Sequence, residues 1–151
     1  MPKKGSYVSL KLAEKIKITH DTYIFRFAFD NLDLTFGLPI GNHVIFKATI
    51  NGVDEYRKYT PITDVIRRGF VDFVIKVYRA NVHPKFPEGG KMSQYLESLN
   101  IGQEMLIEGP KGKLQYLGFG NFEIQRMPPT TRRNIGHLAG GTGITPCFHV
   151  L

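Results

Sequence analysis

A glycine pair, a lysine and a serine stand at the start of the one clear helical segment of the sequence. The run is Gly89-Gly90-Lys91-Met92-Ser93, and the apolar residues from there on recur at helical spacing: Met92, Tyr95, Leu96 and Leu99. Free backbone N–H groups at a helix N-terminus attract phosphate, and glycine lets it approach closely. The motif predicts a phosphate site, with a loop and a capping serine as the plainer alternative.

A second polar cluster follows a predicted strand. It is the run Arg57-Lys58-Tyr59-Thr60-Pro61-Ile62-Thr63. Its two cations could pair with a diphosphate, and its tyrosine could stack on a planar ring. An edge strand stopped by the proline is the alternative.

The third motif is a glycine-rich turn, Gly140-Gly141-Thr142-Gly143-Ile144-Thr145-Pro146, which follows the largely apolar segment Asn134 to Ala139. A strand that runs into such a turn is typical of a nucleotide-binding βα unit. The turn could hold a dinucleotide pyrophosphate, and a simple tight turn would also explain it.

Composition narrows the class of protein. The chain has 151 residues, 42% hydrophobic, with a formal net charge of +7 and one cysteine, Cys147. The length allows one ordinary domain with a core, and a single cysteine excludes a disulfide framework or a multi-cysteine metal site. No apolar run is long enough to span a bilayer. The basic residues are scattered, which favours solubility or an acidic partner over nucleic acid, and a reducing, intracellular setting is expected.

Period-two alternation dominates the first two thirds of the chain and predicts strands. Tyr23, Phe25, Phe27 and Phe29 form one aromatic face. The segment 43–50 leads into Asn51-Gly52, a hairpin signal, and a return strand over 53–59. Further strands are predicted over 70–78, 104–108 and 113–117, the last two joined by a turn at Gly109-Pro110-Lys111-Gly112.

This pattern predicts a mainly β fold, a six-stranded antiparallel Greek-key barrel with one short helix. Residues 1–117 are expected to form the barrel and 118–133 a linker. Residues 134–151 are expected to begin an α/β domain for a nicotinamide dinucleotide, of which they hold the first strand and turn.

The motifs together resemble the FAD domain of the NADH–cytochrome b5 reductases, within the ferredoxin reductase-like flavoprotein superfamily. The resemblance covers about residues 7–151. Its segments are Arg57 to Pro61, Val74 to Tyr78, His83 to Leu96, Gly109-Pro110 and Ala139 to Pro146. The fold it implies is the FAD-binding barrel, and the cofactors it implies are FAD and NADH. The implied reaction is hydride transfer from NADH to FAD, followed by single-electron transfer to cytochrome b5 or a similar acidic haem protein.

The resemblance also implies roles for individual residues. Arg57 and the Gly90-Lys91-Met92-Ser93 helix start would hold the FAD diphosphate, Tyr59 would pack on the flavin, and Thr60 would hydrogen-bond near its reactive nitrogen. The remaining implied contacts, with flavin or NADH, are His43, Val74, Lys76, Gly141, Gly143 and Thr145. Val74 as plain core, Lys76 as a solvated charge and His43 as a structural histidine are the alternatives.

Three positions depart from the family pattern. Lys58 replaces a common proline and could add a contact to FAD phosphate, Asn42 replaces a glutamine, and Arg79 stands where an apolar or aromatic residue usually meets the flavin's outer edge. The cysteine-glycine-proline motif that positions the nicotinamide is missing. We therefore expect these 151 residues alone to bind FAD weakly and to lack efficient NADH-dependent turnover.

The resemblance implies a location on the cytoplasmic side of the endoplasmic reticulum or mitochondrial membrane. Peripheral attachment would need a segment beyond these residues. Two other hypotheses stay open: a non-catalytic subunit that uses the barrel as a binding surface, and an oligonucleotide-binding barrel, which the His83 to Leu96 run disfavours.

Overall fold

The computed structural model describes residues 6–151. Within them the strands are β1 (Tyr7–Lys17), β2 (Thr22–Ala28), β3 (His43–Ile50), β4 (Val53–Tyr59), β5 (Phe70–Lys76), β6 (Glu104–Lys111), β7 (Leu114–Gly118), β8 (Asn121–Ile124) and β9 (Thr130–Thr131). The helices are α1 (Lys91–Ser98) and α2 (Ile144–Val150), and a 3-10 turn over Gly141–Gly143 precedes α2.

Six antiparallel strands form one curled sheet in the order β4-β3-β6-β1-β2-β5. The insertion of β6 between β3 and β1 makes the chain cross over, as in a Greek key. The sheet is a half-barrel with β4 and β5 at its edges. The segment after β4 links these edges, because the Ile62 N–H donates to the Asp72 carbonyl (3.0 Å) and the Asp72 N–H donates to Thr63 Oγ1 (2.6 Å). The predicted six-stranded antiparallel fold with one short barrel helix is confirmed.

The core lies on the concave face of this sheet. Phe25 and Phe27 of β2 are fully buried, as the predicted aromatic face requires. The Phe27 ring meets the Phe46 ring at 5.6 Å and the Phe73 ring at 6.1 Å between centroids, both edge to face. Edge-to-face aromatic packing adds stabilisation beyond the buried area. Helix α1 closes the core with Met92 and Leu96, and Leu99, which follows the helix, is buried beside them.

The β3–β4 hairpin turns at Asn51 and Gly52, as predicted. Their φ angles are 51° and 77°, and Ile50 pairs with Val53 across the turn. Both turn residues have positive φ, which Asn and Gly tolerate better than other residues. The turn fixes the register of β4 and thereby the positions of the residues at its far end.

The turn predicted over Gly109-Pro110-Lys111-Gly112 begins later in the structure than expected. Strand β6 continues to Lys111, which pairs with His43, while Glu108 pairs with Ile45. Three steps along β6 therefore match two along β3, and this bulge accommodates a proline that has no N–H to donate. The chain turns at Gly112 and Lys113 instead.

The segment 118–133 contains β8 and β9, which form a small antiparallel sheet with β7. The β7–β8 turn places Phe119 and Gly120 at φ 52° and 77°. Residues 134–139, predicted as a strand, form none in the structure, and Leu138 is fully exposed. A buried parallel strand needs neighbouring strands, and none among residues 6–151 flanks this segment. The predicted division into barrel, linker and second domain stays a prediction.

The glycine-rich turn does lead into a helix, α2, as predicted. Across residues 6–151, no helix combines the length and the apolar character needed to cross a bilayer.

Replacing Phe27 with alanine should destabilise the fold by about 3–5 kcal/mol, because the substitution leaves a cavity among fully buried rings. Urea denaturation monitored by circular dichroism measures this. Phe119→Ala is the matched control, because the Phe119 side chain is 98% exposed, and it should change stability by less than about 0.5 kcal/mol. Similar losses in both variants would contradict the assigned core.

Candidate functional site

A cavity of about 450 Å³ lies between the two edges of the half-barrel, the start of α1 and the glycine-rich turn. Its lining contains most of the residues singled out from the sequence: His43, Arg57, Lys58, Tyr59, Thr60, Val74, Lys76, Gly90, Met92, Ser93, Gly143 and Thr145. Ile75, Tyr78, Thr142 and Pro146 also line it. Arg79, Lys91 and Gly141 do not.

Strand alternation places the side chains of β5 at the cavity. Phe73 and Ile75 are buried in the core, whereas Val74 and Lys76 lie on the other face and are partly exposed. Val74 is therefore not plain core. Tyr78 follows with the same period and is the lining residue that the sequence pattern could have revealed.

The residues from Gly89 to Ser93, at the start of α1, form a close turn that we call the cradle. Its geometry requires glycine at position 89. Gly89 has φ +70°, and a Cβ there would lie 2.4 Å from the Tyr78 carbonyl oxygen. Gly90 precedes the helix without a side-chain cap, and the first turn of α1 carries no acidic residue. The first N–H groups of α1 and its positive dipole end are thus available to an anion at the cavity.

The Ser93 hydroxyl already has two backbone partners. Its Oγ donates to the Gly90 carbonyl (2.9 Å) and accepts from the Tyr78 N–H (3.1 Å). The side chain is only 5% exposed. Ser93 therefore joins the helix start to the segment after β5, in addition to any contact with a bound group.

Two cations meet at one carboxylate beside the cradle. Glu55 Oε2 lies 3.2 Å from Arg57 Nη1, and Glu55 Oε1 lies 3.5 Å from Lys91 Nζ. Lys91 is thus next to the cavity although it does not line it. Both cations are about half exposed, so they can reach an anion that enters from solvent.

Lys76 is held by an aspartate that the sequence did not single out. Its Nζ lies 3.1 Å from Asp21 Oδ2, and Asp21 also accepts from the hydroxyls of Thr19 and Thr22 at 3.0 Å each. The bond from Lys76 and those hydroxyls lower the pKa of Asp21 to about 2. This carboxylate stays ionised and restrains the ammonium group at the cavity wall.

Arg79 points away from the cavity. Its guanidinium donates to the Glu97 carboxylate, to the His20 carbonyl (3.0 Å) and to the Tyr23 hydroxyl (3.4 Å). A carboxylate on α1 attracts the arginine more strongly than an apolar cavity edge does. Arg79 therefore does not line the cavity, and its expected contact with the cofactor stays a prediction.

The part of the cavity wall formed by Tyr59, His43 and Thr60 is largely neutral. Burial raises the pKa of the Tyr59 hydroxyl to about 12, and its ring packs 4.8 Å from the Phe46 ring. Burial, with the nearby charges of Lys58 and Lys111, lowers the pKa of His43. Thr60 is buried beside them. This part of the cavity suits an uncharged planar ring more than a second anion.

The glycine-rich turn reaches the cavity because α2 is attached to the barrel. His149 Nδ1 accepts from the Gly41 N–H at 3.2 Å. At the other end of α2, Thr145 Oγ1 donates to the Thr142 carbonyl (3.3 Å), which holds the hydroxyl against the glycine-rich turn at the cavity wall.

The residues fit a ligand with a diphosphate at one end and a planar ring at the other. An uncapped helix start and two cations serve the anionic end, while Tyr59 and Val74 offer apolar contact. Within residues 6–151 no group of three or more His, Cys, Asp or Glu side chains is placed to hold a metal ion.

Gly89→Ala should destabilise the protein by about 1–3 kcal/mol more than Gly102→Ala. Both glycines have positive φ, so both variants share backbone strain of about 1–2 kcal/mol. A Cβ at Gly102 meets open space, whereas one at Gly89 meets backbone, which adds an overpacking cost. Urea denaturation of both variants measures the difference, and equal losses would contradict the close packing of this cradle.

Asp21→Asn should lower the melting temperature at pH 7 and have little effect at pH 2. The pKa of Asp21 falls from 3.8 to about 2 on folding, so its stabilisation is complete above about pH 4 and disappears as the pH falls through about 2. Melting curves from pH 7 to pH 2 measure the difference from wild type. Asp33→Asn, at an 88% exposed carboxylate, is the control and should leave that difference near zero at every pH. A pH-independent effect of Asp21→Asn would contradict the ion-pair role.

Known proteins are similar to this chain in sequence and in fold. Residues 9–116 match the family described as the oxidoreductase FAD-binding domain. The chain is 50% identical over 147 residues to NADH-cytochrome b5 reductase 1 of Bos taurus, covering 94% of this chain and 48% of that protein. It is 47% identical over 143 residues to nitrate reductase [NADH] 2 of Phaseolus vulgaris, covering 95% of this chain and 16% of that protein.

A solved structure has the same fold as this chain. The cytochrome b5 reductase domain of Ulva prolifera nitrate reductase superimposes with a TM-score of 0.91 at 41% identity, covering 96% of this chain and 55% of that one. The chain thus spans about half the length of the curated cytochrome b5 reductase that it matches. From the family match, these identities and the shared fold, the chain belongs to the oxidoreductase FAD-binding domains, among relatives of the NADH–cytochrome b5 reductases.

Proposed function

We propose that this chain holds FAD in the 450 Å³ cavity and forms the flavin-holding part of an NADH-dependent reductase. The observation that carries the proposal is that an uncapped helix start, Arg57 and an aromatic wall line one cavity, with Lys91 next to it. The expected electron acceptor is cytochrome b5 or a similar acidic haem protein, and the net charge of +7 suits such a partner.

The anionic end of the site is assigned to the cradle. Arg57, Lys91 and the N–H groups that follow Gly90 would hold the diphosphate, because charge-assisted hydrogen bonds are the strongest that the cavity offers. Met92 and Ser93 also line the cavity, and Ser93 fixes the helix start through its backbone partners. Lys58 lines the cavity and can add a further contact.

The ring end of the site is assigned to β4, β5 and the turn before α2. Tyr59 would pack on the ring, Thr60 would offer a hydroxyl, and Val74 would exclude water from one side. When bound, FAD would supply the exchange between two-electron and single-electron transfer. Tyr59 stays protonated and His43 stays largely neutral near pH 7, so neither adds a charge at the ring.

The donor side is assigned to Lys76, Gly141 and Gly143, whereas Thr145 would contact the flavin. The Asp21 ion pair restrains the Lys76 ammonium, which suits it to meet a phosphate or carboxamide of NADH. Gly143 and Thr145 border the cavity, whereas Gly141 lies beyond its lining in the same turn.

Arg57→Ala should weaken FAD binding roughly tenfold to a hundredfold, which is the usual effect of losing a hydrogen bond to a charged group. Quenching of flavin fluorescence on titration measures the dissociation constant. Arg67→Ala removes the same charge from an exposed position outside the cavity, over the Phe70 ring, and should leave the constant within about twofold. Equal effects of the two variants would contradict the assigned diphosphate site.

The FAD-loaded chain should be reduced only slowly by NADH under anaerobic conditions. The expectation rests on the missing cysteine-glycine-proline motif, and absorbance near the flavin maximum follows the reaction. Rapid bleaching would contradict it. A chain that stays colourless in excess FAD and co-purifies with a large assembly would instead favour a non-catalytic binding role.

A further inference from the structure

We infer that Glu55 is a built-in counter-ion of the diphosphate subsite, which competes with phosphate for Arg57 and Lys91 and thereby limits the affinity for FAD. The inference rests on the proposed function, because it concerns the regulation of that same site.

The position of Glu55 follows from strand alternation. Glu55, Arg57 and Tyr59 occupy alternate positions of β4, and therefore share one face. That face meets the start of α1, where Lys91 is the first helical residue. A single carboxylate thus stands between a strand cation and a helix cation.

Both carboxylate oxygens are engaged. One lies 3.2 Å from Arg57 and the other 3.5 Å from Lys91, and the Glu55 side chain is only 15% exposed. Partial burial leaves less water to screen the charge. The carboxylate therefore attracts both cations strongly and repels any anion between them.

The charges define the competition. Arg57 and Lys91 carry two positive charges, and Glu55 neutralises one of them before any ligand binds. A diphosphate would bring its own negative charges to the same two cations, so it must either displace the carboxylate or tolerate like-charge repulsion. Either route weakens binding relative to a site in which position 55 is neutral.

Asp54 supplies a matched control. It is the adjacent carboxylate on the opposite face of β4, where it binds Lys47 Nζ at 2.7 Å and accepts from Thr49 Oγ1 at 2.7 Å. Asp54→Asn changes the net charge by the same amount as Glu55→Gln without touching the Arg57–Lys91 pair. The comparison therefore separates a local effect from a general change in charge.

The experiment measures FAD dissociation constants for wild type, Glu55→Gln and Asp54→Asn by fluorescence quenching at 50 and 500 mM salt. Glu55→Gln should bind FAD roughly threefold to tenfold more tightly at low salt, and the gain should shrink at high salt. Asp54→Asn should stay within about twofold of wild type at both concentrations. Unchanged or weaker binding by Glu55→Gln, or an equal gain in Asp54→Asn, would overturn the inference.

A second probe keeps the two proposals distinguishable. Binding of inorganic pyrophosphate, followed by calorimetry, should also tighten in Glu55→Gln and stay unchanged in Asp54→Asn. If wild type fails to bind FAD, the proposed function fails while the pyrophosphate ratio still decides the role of Glu55. If wild type binds FAD but neither ratio rises, the counter-ion role alone fails.

Discussion

The attachment of α1 to the segment after β5 is the constraint on which the site depends. The Gly90 N–H donates to the Tyr78 carbonyl at 2.7 Å, and Ser93 joins both residues through its hydroxyl. These bonds hold the helix start beside the open edges of the half-barrel, so the free N–H groups face a cavity instead of bulk water. A side chain at Gly89 would push the two segments apart, and the cradle would no longer lie beside β4 and β5.

Charge at the site is arranged in pairs that the fold sets before any ligand arrives. Glu55 restrains Arg57 and Lys91, Asp21 restrains Lys76, and Glu97 draws Arg79 away. Pre-paired cations lose less side-chain entropy on binding an anion, but each must exchange one partner for another. The net charge of the chain therefore says less about ligand binding than the identity of the carboxylates beside each cation.

Local sequence patterns were sufficient to predict the elements of the fold that depend on interactions between neighbouring residues. Alternation defined β2 to β5, Asn51-Gly52 defined the hairpin, and the apolar stripe defined α1. The bulge at Pro110 was missed because pairing with a distant strand stabilises it, and the turn at Phe119-Gly120 because phenylalanine rarely adopts a positive φ.

The candidate site divides in the same way between local and distant contacts. The sequence motifs identified Arg57, Tyr59 and Gly90, because each motif is contiguous in sequence. All three residues line the cavity. The partners that orient the charged side chains lie far away along the chain, as with Asp21 and Lys76 or Arg79 and Glu97. No spacing rule reveals such pairs, because only the tertiary packing of strands and helix brings them together.

The contact between His149 and Gly41 has a consequence for the protonation state of α2. Since Nδ1 accepts a hydrogen bond, the ring's proton must sit on Nε2, and that nitrogen is buried without a hydrogen-bond partner among the described residues. An imidazolium could not accept from Gly41, and burial lowers the pKa of His149. The position of Thr145 at the cavity therefore depends on one tautomer of a neutral histidine, which lies almost at the far end of the helix.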